Sequence, residues 1–390
     1  MSLYYFDYAA TTPVRPEVAQ RMYHALSEEF GNPSSRYPLG QAAAARLKED
    51  RAAVAAALGC TPAEVFFTSC GTEGDNWAIQ AAVEFNRRRG KHIITTALEH
   101  SAVLEPIRRL EHQGYEVTCL QPDRTGHISV DDVTAALRPD TVLVSMMLVN
   151  NELGTLLPVA ETAKAIRESG CPALLHCDAV QGFLKVPFTP KALGVDFLAV
   201  SGHKIHGPKG VGALYVHQKF LSRNPDTQAH KIKALLVGGG QEGKLRSGTE
   251  ATAQIAGLAA AATLGKATLE ADRTHMAQMK EYALTQLKAA LPELEVISAG
   301  DAPHICAVTL PSYKSEVLVR VLGDRGVCLS SGSACHKGKP SHVYAALGLP
   351  KAWLDGALRI SFDAATTQAE IDVLVRELKA AKEGLVPTLS

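Results

Sequence analysis

The sequence predicts an α/β protein built on a mostly parallel sheet, and three observations carry that expectation. Between about residues 60 and 220, apolar runs of strand length alternate with segments of helical periodicity. Most of those runs are apolar throughout rather than at every second residue, the pattern of strands buried on both faces. Gly90, Gly114 and Gly170 stand where the intervening helices should end, as a residue free to adopt positive φ commonly does.

Taken in order, two helical patterns come first, "PEVAQRMYHALSEEF" and the Ala-rich "QAAAARLKEDRAAVAAALG". The run "EVFFTS" then precedes the helical "EGDNWAIQAAVEFNRRRG", "KHIITT" precedes "SAVLEPIRRLEHQG", and "TVLVSMMLVN" precedes "PVAETAKAIRESG". Three further strands follow, "ALLHCDAV", "DFLAVSG" and "VGALYV". A long Ala-rich helix is predicted from about residue 251 to 290, linking to a smaller C-terminal domain. There the order is strand "HICAVTL", helix "EVLVRVLGDRG", a small polar loop, helix "SHVYAALG", strand "GALRISF" and a final helix. We expect residues 16–264 to form the large domain, and residues 1–15 with 265–390 the small one.

Composition narrows the class of function. The chain has 390 residues, 46% hydrophobic and 21% charged, with zero formal net charge. That balance suits a globular enzyme and gives no bulk attraction for nucleic acid or anionic lipid, so neither is expected as a direct partner. No apolar run reaches membrane-spanning length, and "MSLYYFDYAATTP" lacks the order of a secretory signal, so a cytoplasmic location is expected. Most of the eight cysteines lie in apolar contexts such as "VTCL" and "HICAV" and read as reduced core thiols. No CxxC pair is present, and Cys335, His336 and His342 fit no closed zinc pattern, so no metal is expected.

Chemistry concentrates at predicted strand ends. Lys204, in "SGHKIHGPKG", follows the strand "DFLAV", where ligands bind in open α/β sheets. A lysine there can form a Schiff base with a carbonyl cofactor, although on its own it reads more readily as a solvated loop residue. Asp178 ends the strand of "HCDAVQ", suited to pair with the pyridinium nitrogen of pyridoxal 5′-phosphate (PLP), and Gln181 lies three residues on. Gly71 and Thr72 in "SCGTEGDN" open a helix that can receive a phosphate. His100, in "ALEHSAV", ends another strand. Cys335 is the outlier among the cysteines, set among small polar residues and beside Lys337 in "SSGSACHKGKPSHV", where neighbouring cations favour a thiolate.

With these stretches in order, the chain resembles the cysteine desulfurases of the NifS/IscS type, PLP enzymes of the class V aminotransferase group. The segments that carry the resemblance include "FDYAATTP", "FGNPSS", "TSCGTEGDN", "VNNELGT", "HCDAVQ", "SGHKIHGPKGVGALYV", "RSGTE", "SSGSAC" and "LRISF", spread from residue 6 to about 362. It implies the type I PLP fold: a large domain with a seven-stranded, mostly parallel sheet, a small α+β domain, and a homodimer with shared sites. Residue by residue, it implies that Lys204 carries the cofactor, Asp178 holds the pyridinium and Gln181 the ring hydroxyl. His100 stacks on the ring and serves in acid–base work. Gly71, Thr72, Ser201 and His203 bind the phosphate, and Thr249 does so from the other subunit. Asn151 and Arg359 hold the substrate carboxylate, assisted by Asn32. Cys335 accepts sulfur from L-cysteine as a persulfide and passes it to an acceptor protein, for iron–sulfur cluster assembly or tRNA thiolation. A selenocysteine lyase or a cysteine C–S lyase on the same fold, or a non-catalytic partner-binding scaffold, are the rival readings.

Overall fold

A computed structural model describes residues 2–222, 231–331 and 341–387. A short strand, β1 (Tyr4–Tyr5), leads into helices α1 (Pro16–Ser27) and α2 (Pro38–Leu58). Strand β2 (Val65–Thr68) is followed by α3 (Gly71–Phe85), β3 (His92–Thr96), α4 (Ser101–Glu111), β4 (Glu116–Leu120) and α5 (Val130–Ala136). Then come β5 (Thr141–Ser145), α6 (Val159–Ser169), β6 (Leu174–Asp178), the one-turn α7 (Pro190–Leu193), β7 (Phe197–Ser201) and β8 (Gly212–Val216). These seven strands, β2 to β8, form one sheet in the order β2-β8-β7-β6-β5-β3-β4. The pairs β7–β6, β6–β5, β5–β3 and β3–β4 are parallel; β8 alone runs against both its neighbours.

Every residue of β2, β3, β5, β6, β7 and β8 is buried, as continuous apolar runs require when helices cover both faces. The edge strand β4 is the exception, with Glu116 and Cys119 exposed. One core face gathers Ile94, Val144, Leu175 and Leu198, and the other gathers Ile93, Leu143, Phe197 and Leu214 under Trp77 and Ile79 of α3. The expected run "TVLVSMMLVN" is a strand only as far as Ser145, because Met146 onward turns to line a cavity.

The glycines divide. Gly170 caps α6 in the left-handed region at φ 69°. Gly90 does not end a helix: α3 stops at Phe85, and a side chain at Gly90 would put its Cβ 2.0 Å from the carbonyl oxygen of Asp140. Close approach to a neighbouring strand, rather than a cap, is what that position demands.

Helix α8 (Thr252–Ala290) runs unbroken for 39 residues through the expected domain boundary at 264/265. Beyond it lie β9 (Glu295–Ser298), β10 (Ile305–Thr309), α9 (Ser315–Asp324), β11 (Val327–Cys328), β12 (Ser330–Ser331), α10 (His342–Ala346), α11 (Lys351–Asp355), β13 (Ala357–Ser361) and α12 (Gln368–Glu383). A second, four-stranded sheet has the order β12-β13-β10-β9. Its core joins Cys306, Val308, Leu358 and Ile360 to Leu318, Leu374 and Leu378 of the covering helices. The N-terminal segment contacts this half: β1 pairs with β11, and Ser361 N–H donates to the Phe6 carbonyl at 2.8 Å.

Candidate active site

The carboxyl ends of β2, β5, β6 and β7 face a cavity of about 420 Å³, closed on its far side by residues 330–331, 341–342 and 359. Its lining includes Gly71, Thr72, His100, Asn151, Asp178, Gln181, Ser201, His203, Lys204 and Arg359. Residues that the sequence scatters over nearly 290 positions thus meet in one space. Two expected site residues do not. Thr249 and Asn32 are exposed and away from this chain's cavity, and Asn32 Oδ1 instead accepts from Ser34 N–H at 2.9 Å. Cys335 lies outside the described residues.

Lys204 sits one short turn past β7. Its Nζ donates to the carbonyl oxygens of Ala9 and Ala10, at 2.6 and 2.8 Å. The loop is pinned to the N-terminal segment on either side of the lysine. Thr12 donates through Oγ1 to the His203 carbonyl at 3.0 Å, and His206 N–H donates to Thr12 Oγ1 at 2.8 Å. His206 also links to Asp363 through Nε2 at 2.7 Å. Gln181 donates through Nε2 to the same Ala9 oxygen at 2.8 Å. None of this main-chain participation by Ala9 and Ala10 is visible in residue type.

Asp178 ends β6, and its Oδ1 accepts from Val180 N–H at 2.9 Å. Burial pushes its pKa up, opposed by that hydrogen bond and by the charges of His100 and Lys204. Two carboxyls that sequence reasoning did not single out lie behind it. Glu99 is fully buried and raised to about 8, despite accepting from Thr96 Oγ1 and Met147 N–H at Oε1. Asp75 of α3 is raised well above the ordinary range by burial and by the nearby charges of Asp178 and Glu99. Asp75 Oδ1 lies 3.3 Å from His176 Nε2 without the alignment of a hydrogen bond. Burial drives His176 down to about 3, so its ring is neutral at ordinary pH. Burial favours the neutral form of Asp75 and Glu99, whereas His100 and Lys204 favour the anion at Asp178, the carboxyl placed to hold negative charge.

The other end of the cavity is built for an anion. Helix α3 opens at Gly71 with no side-chain cap, so its first N–H groups face the cavity mouth. A Cβ on Gly71 would lie 2.6 Å from Val180 Cγ2, so only glycine lets the helix start this close to β6. Ser201 Oγ beside it is buried and without a hydrogen-bond partner among the described residues. His203 is pushed down to about 4 by burial and by Lys204 and Lys209, which leaves a neutral ring whose Nδ1 meets Thr11 Oγ1 at 3.2 Å. A hydroxyl orphaned among the described residues, an uncapped helix start and a buried carboxyl are the complement of a group with a phosphate at one end and a cationic ring nitrogen near the other. The residues present therefore fit PLP.

His100 caps α4: Nδ1 accepts from Ala102 N–H at 3.1 Å, which places the proton of the neutral ring on Nε2. Arg359 of β13 reaches the cavity from the second sheet. It donates to the Asn151 carbonyl at 2.9 Å, to Asp7 Oδ1 at 2.7 Å and to Ser330 Oγ at 3.0 Å.

The comparisons agree with this geometry. The family model described as aminotransferase class-V matches residues 4–374. A cysteine desulfurase of Trichormus azollae is 40% identical over 391 aligned positions, covering 99% of this chain and 94% of that protein. The cysteine desulfurase IscS of Methanosarcina thermophila is 39% identical, covering 94% of this chain and 89% of its own length. A solved NifS-like protein superposes with a TM-score of 0.90 at 33% identity, covering 98% of this chain and all of that one. The type I PLP fold expected from the sequence is the fold observed, and the chain belongs to the class V aminotransferase family, among its PLP-dependent cysteine desulfurases.

Proposed function

We propose that this enzyme converts L-cysteine to L-alanine and transfers the sulfur, as a persulfide on Cys335, to an acceptor protein serving iron–sulfur cluster assembly or tRNA thiolation. The observation that carries the reading is the convergence of Lys204, Asp178, His100 and Arg359 on one cavity, the first three from strand ends of the large sheet and Arg359 from the middle of a strand in the second.

PLP, when bound, supplies an electron sink that labilises the bonds at an attached amino acid's α-carbon. Lys204 would hold it covalently, Asp178 its ring nitrogen, and Gln181 its ring hydroxyl. The N–H groups at Gly71, with Thr72, Ser201 and His203, would hold its phosphate. The chain's own residues then have these tasks. Arg359 and Asn151 orient the substrate carboxylate, a task suited to a planar guanidinium. Lys204 Nζ takes the proton from the substrate α-carbon, being the nearest base. His100 Nε2 gives or accepts protons on the face it lines. Cys335, as thiolate, attacks the substrate sulfur: a sulfur–sulfur bond forms, the Cβ–sulfur bond breaks, and the electron pair left on Cβ is protonated to give alanine.

Thr249 serves this chemistry only across a subunit boundary, which we read as a homodimer with shared sites. Support comes from the exposed apolar side chains Tyr23, Leu26, Phe30 and Tyr37 on and after α1, and Leu236 and Val237 in the segment leading to Thr249. Asn32, in the same exposed stretch, would reach a substrate by the same route.

Cys335→Ser separates the steps. It should bind PLP and change absorbance with L-cysteine, yet fail to make alanine at the parent rate, because a hydroxyl is a poor nucleophile at neutral pH. Mass spectrometry of the parent after brief exposure to L-cysteine should find one added sulfur on the peptide containing Cys335. Near-normal alanine production by Cys335→Ser would shift the reading to a C–S lyase that releases sulfide directly.

A further inference from the structure

At the Arg359 end of the cavity three polar atoms are buried without a partner among the described residues: Arg359 Nε, Glu152 Oε2 and Tyr344 Oη. Each comes from a different element. Arg359 is on β13, Tyr344 on α10, and Glu152 on the turn after Asn150. That turn is rigid. Asn150 Oδ1 accepts from the N–H groups of both Glu152 and Leu153, at 2.9 and 2.8 Å, while its Nδ2 donates to Leu98 O at 2.9 Å. The next residue back, Asn151, gives its carbonyl to Arg359. Glu152, Asn151 and Arg359 all line the cavity. A buried polar atom left unpaired costs about 1–3 kcal/mol, and the two that belong to cavity-lining residues, Arg359 Nε and Glu152 Oε2, call for a ligand that satisfies them together.

We infer that Glu152 is a further substrate-binding residue, whose carboxyl group joins Arg359 in receiving the substrate carboxylate and admits it only while Glu152 carries a proton. Protonated, Glu152 is an O–H donor that joins the donor Arg359 on one anion, with Tyr344 enclosed behind them. Ionised, it is a second carboxylate in the same buried space, which repels the ligand and competes for Arg359. The groups that face it are Arg359 from β13, Tyr344 from α10 and Ser341 before α10, with Asp7 beyond Arg359. Burial raises Glu152 to about 7, against lowering contributions from Ser341 and Arg359, so both forms exist near neutral pH. The inference rests on the reading of Arg359 as the carboxylate holder.

The test uses the PLP-loaded protein and 3-mercaptopropionate, which keeps the substrate carboxylate and thiol but has no amino group to react with the cofactor. Its dissociation constant is measured by calorimetry from about pH 6 to about pH 9. Above pH 7 the parent should lose affinity by about tenfold per unit, the limit for coupling to one proton. Glu152→Gln should bind with one affinity across the range, within about threefold of the parent at its acid end. In the parent, titration at about pH 8 in two buffers of different ionisation enthalpy should show uptake of about one proton per ligand. That measurement stands even where the variant fails to fold. A flat parent profile, no proton uptake, or a Glu152→Gln profile with the parent's slope overturns the inference. Arg359→Gln tests the underlying reading separately: it should lose binding at every pH, and parent-like binding by that variant overturns the role of Arg359 instead.

Discussion

Lys204 Nζ and Gln181 Nε2 donate to one oxygen, the main-chain carbonyl of Ala9, at 2.6 and 2.8 Å. Two side chains assigned to opposite jobs, one covalent and one at the ring hydroxyl, are thus set in register by a peptide group that neither strand contributes.

From that arrangement Lys204 should be the residue that carries the cofactor. Borohydride reduction of the PLP-loaded protein, followed by peptide mapping, should place the label on Lys204 and not on Lys209. Lys204→Ala should lose alanine production by at least about 10²-fold, the lower bound for removing a positioned base. A label on Lys209 would reverse the assignment.

Sharing of sites between subunits predicts complementation. Thr249→Ala and Lys204→Ala chains should each be inactive or nearly so as homodimers. After mixing and verified subunit exchange, about a quarter of the sites should be intact, because half the dimers are mixed and each carries one whole site. No recovery would mean that Thr249 acts within its own chain or not at all.

Glu99 predicts a pH dependence of stability. Its folded-state pKa is raised to about 8 from the usual carboxyl value of 4.5. Between those values the unfolded chain has released the proton that the folded chain still holds, so stability falls as pH rises across the window. Glu99→Gln keeps an oxygen for Thr96 and Met147 but cannot ionise. Thermal unfolding should therefore show a shallower loss of Tm between about pH 5 and 8 in Glu99→Gln than in the parent. Identical slopes would remove Glu99 from the account.

Arg51 predicts a structural lesion that reaches the shared site. It clasps Glu242 with two bonds, of 2.7 and 2.6 Å, and Glu242 Oε2 also accepts from Phe67 N–H. Glu242 is buried and held at positive φ, so its carboxylate has nowhere else to go. Arg51→Ala should destabilise the protein by about 3–5 kcal/mol in denaturant titration, the cost of stranding a buried charge. It should also loosen the segment that runs through Arg246, itself paired with Glu73 at the start of α3, to Thr249. Weakened PLP retention without any change at Lys204 is the accompanying signature.

The large sheet was legible in the sequence because continuous apolar runs have few other uses, and Lys204, Asp178 and His100 were legible because each closes such a run. The buried carboxyls were not. Asp75 sits within a helical pattern that counts acidic residues as solvent-facing, and Glu99 and Glu152 sit beside residues with louder signals, His100 and Asn151. The contribution of Ala9 and Ala10 is made by carbonyl groups, which every residue possesses. Gly90 was read as a helix stop because close backbone approach and left-handed caps both demand glycine, and only the fold tells them apart.

The N-terminal segment has a consequence for how the enzyme is made. Ala9 N–H donates to Ser361 Oγ, 352 residues along the chain, and Tyr4–Tyr5 pairs with Val327–Cys328. Residues 4–9 therefore leave the ribosome long before the strands they pair with, β11 and β13. Contacts of such sequence separation form late, since loop closure precedes any reward. The oxygens that position Lys204 and Gln181 arrive with them. The cofactor site is thereby completed only after translation has passed β13, and a half-made chain presents a sheet with no competent place to react.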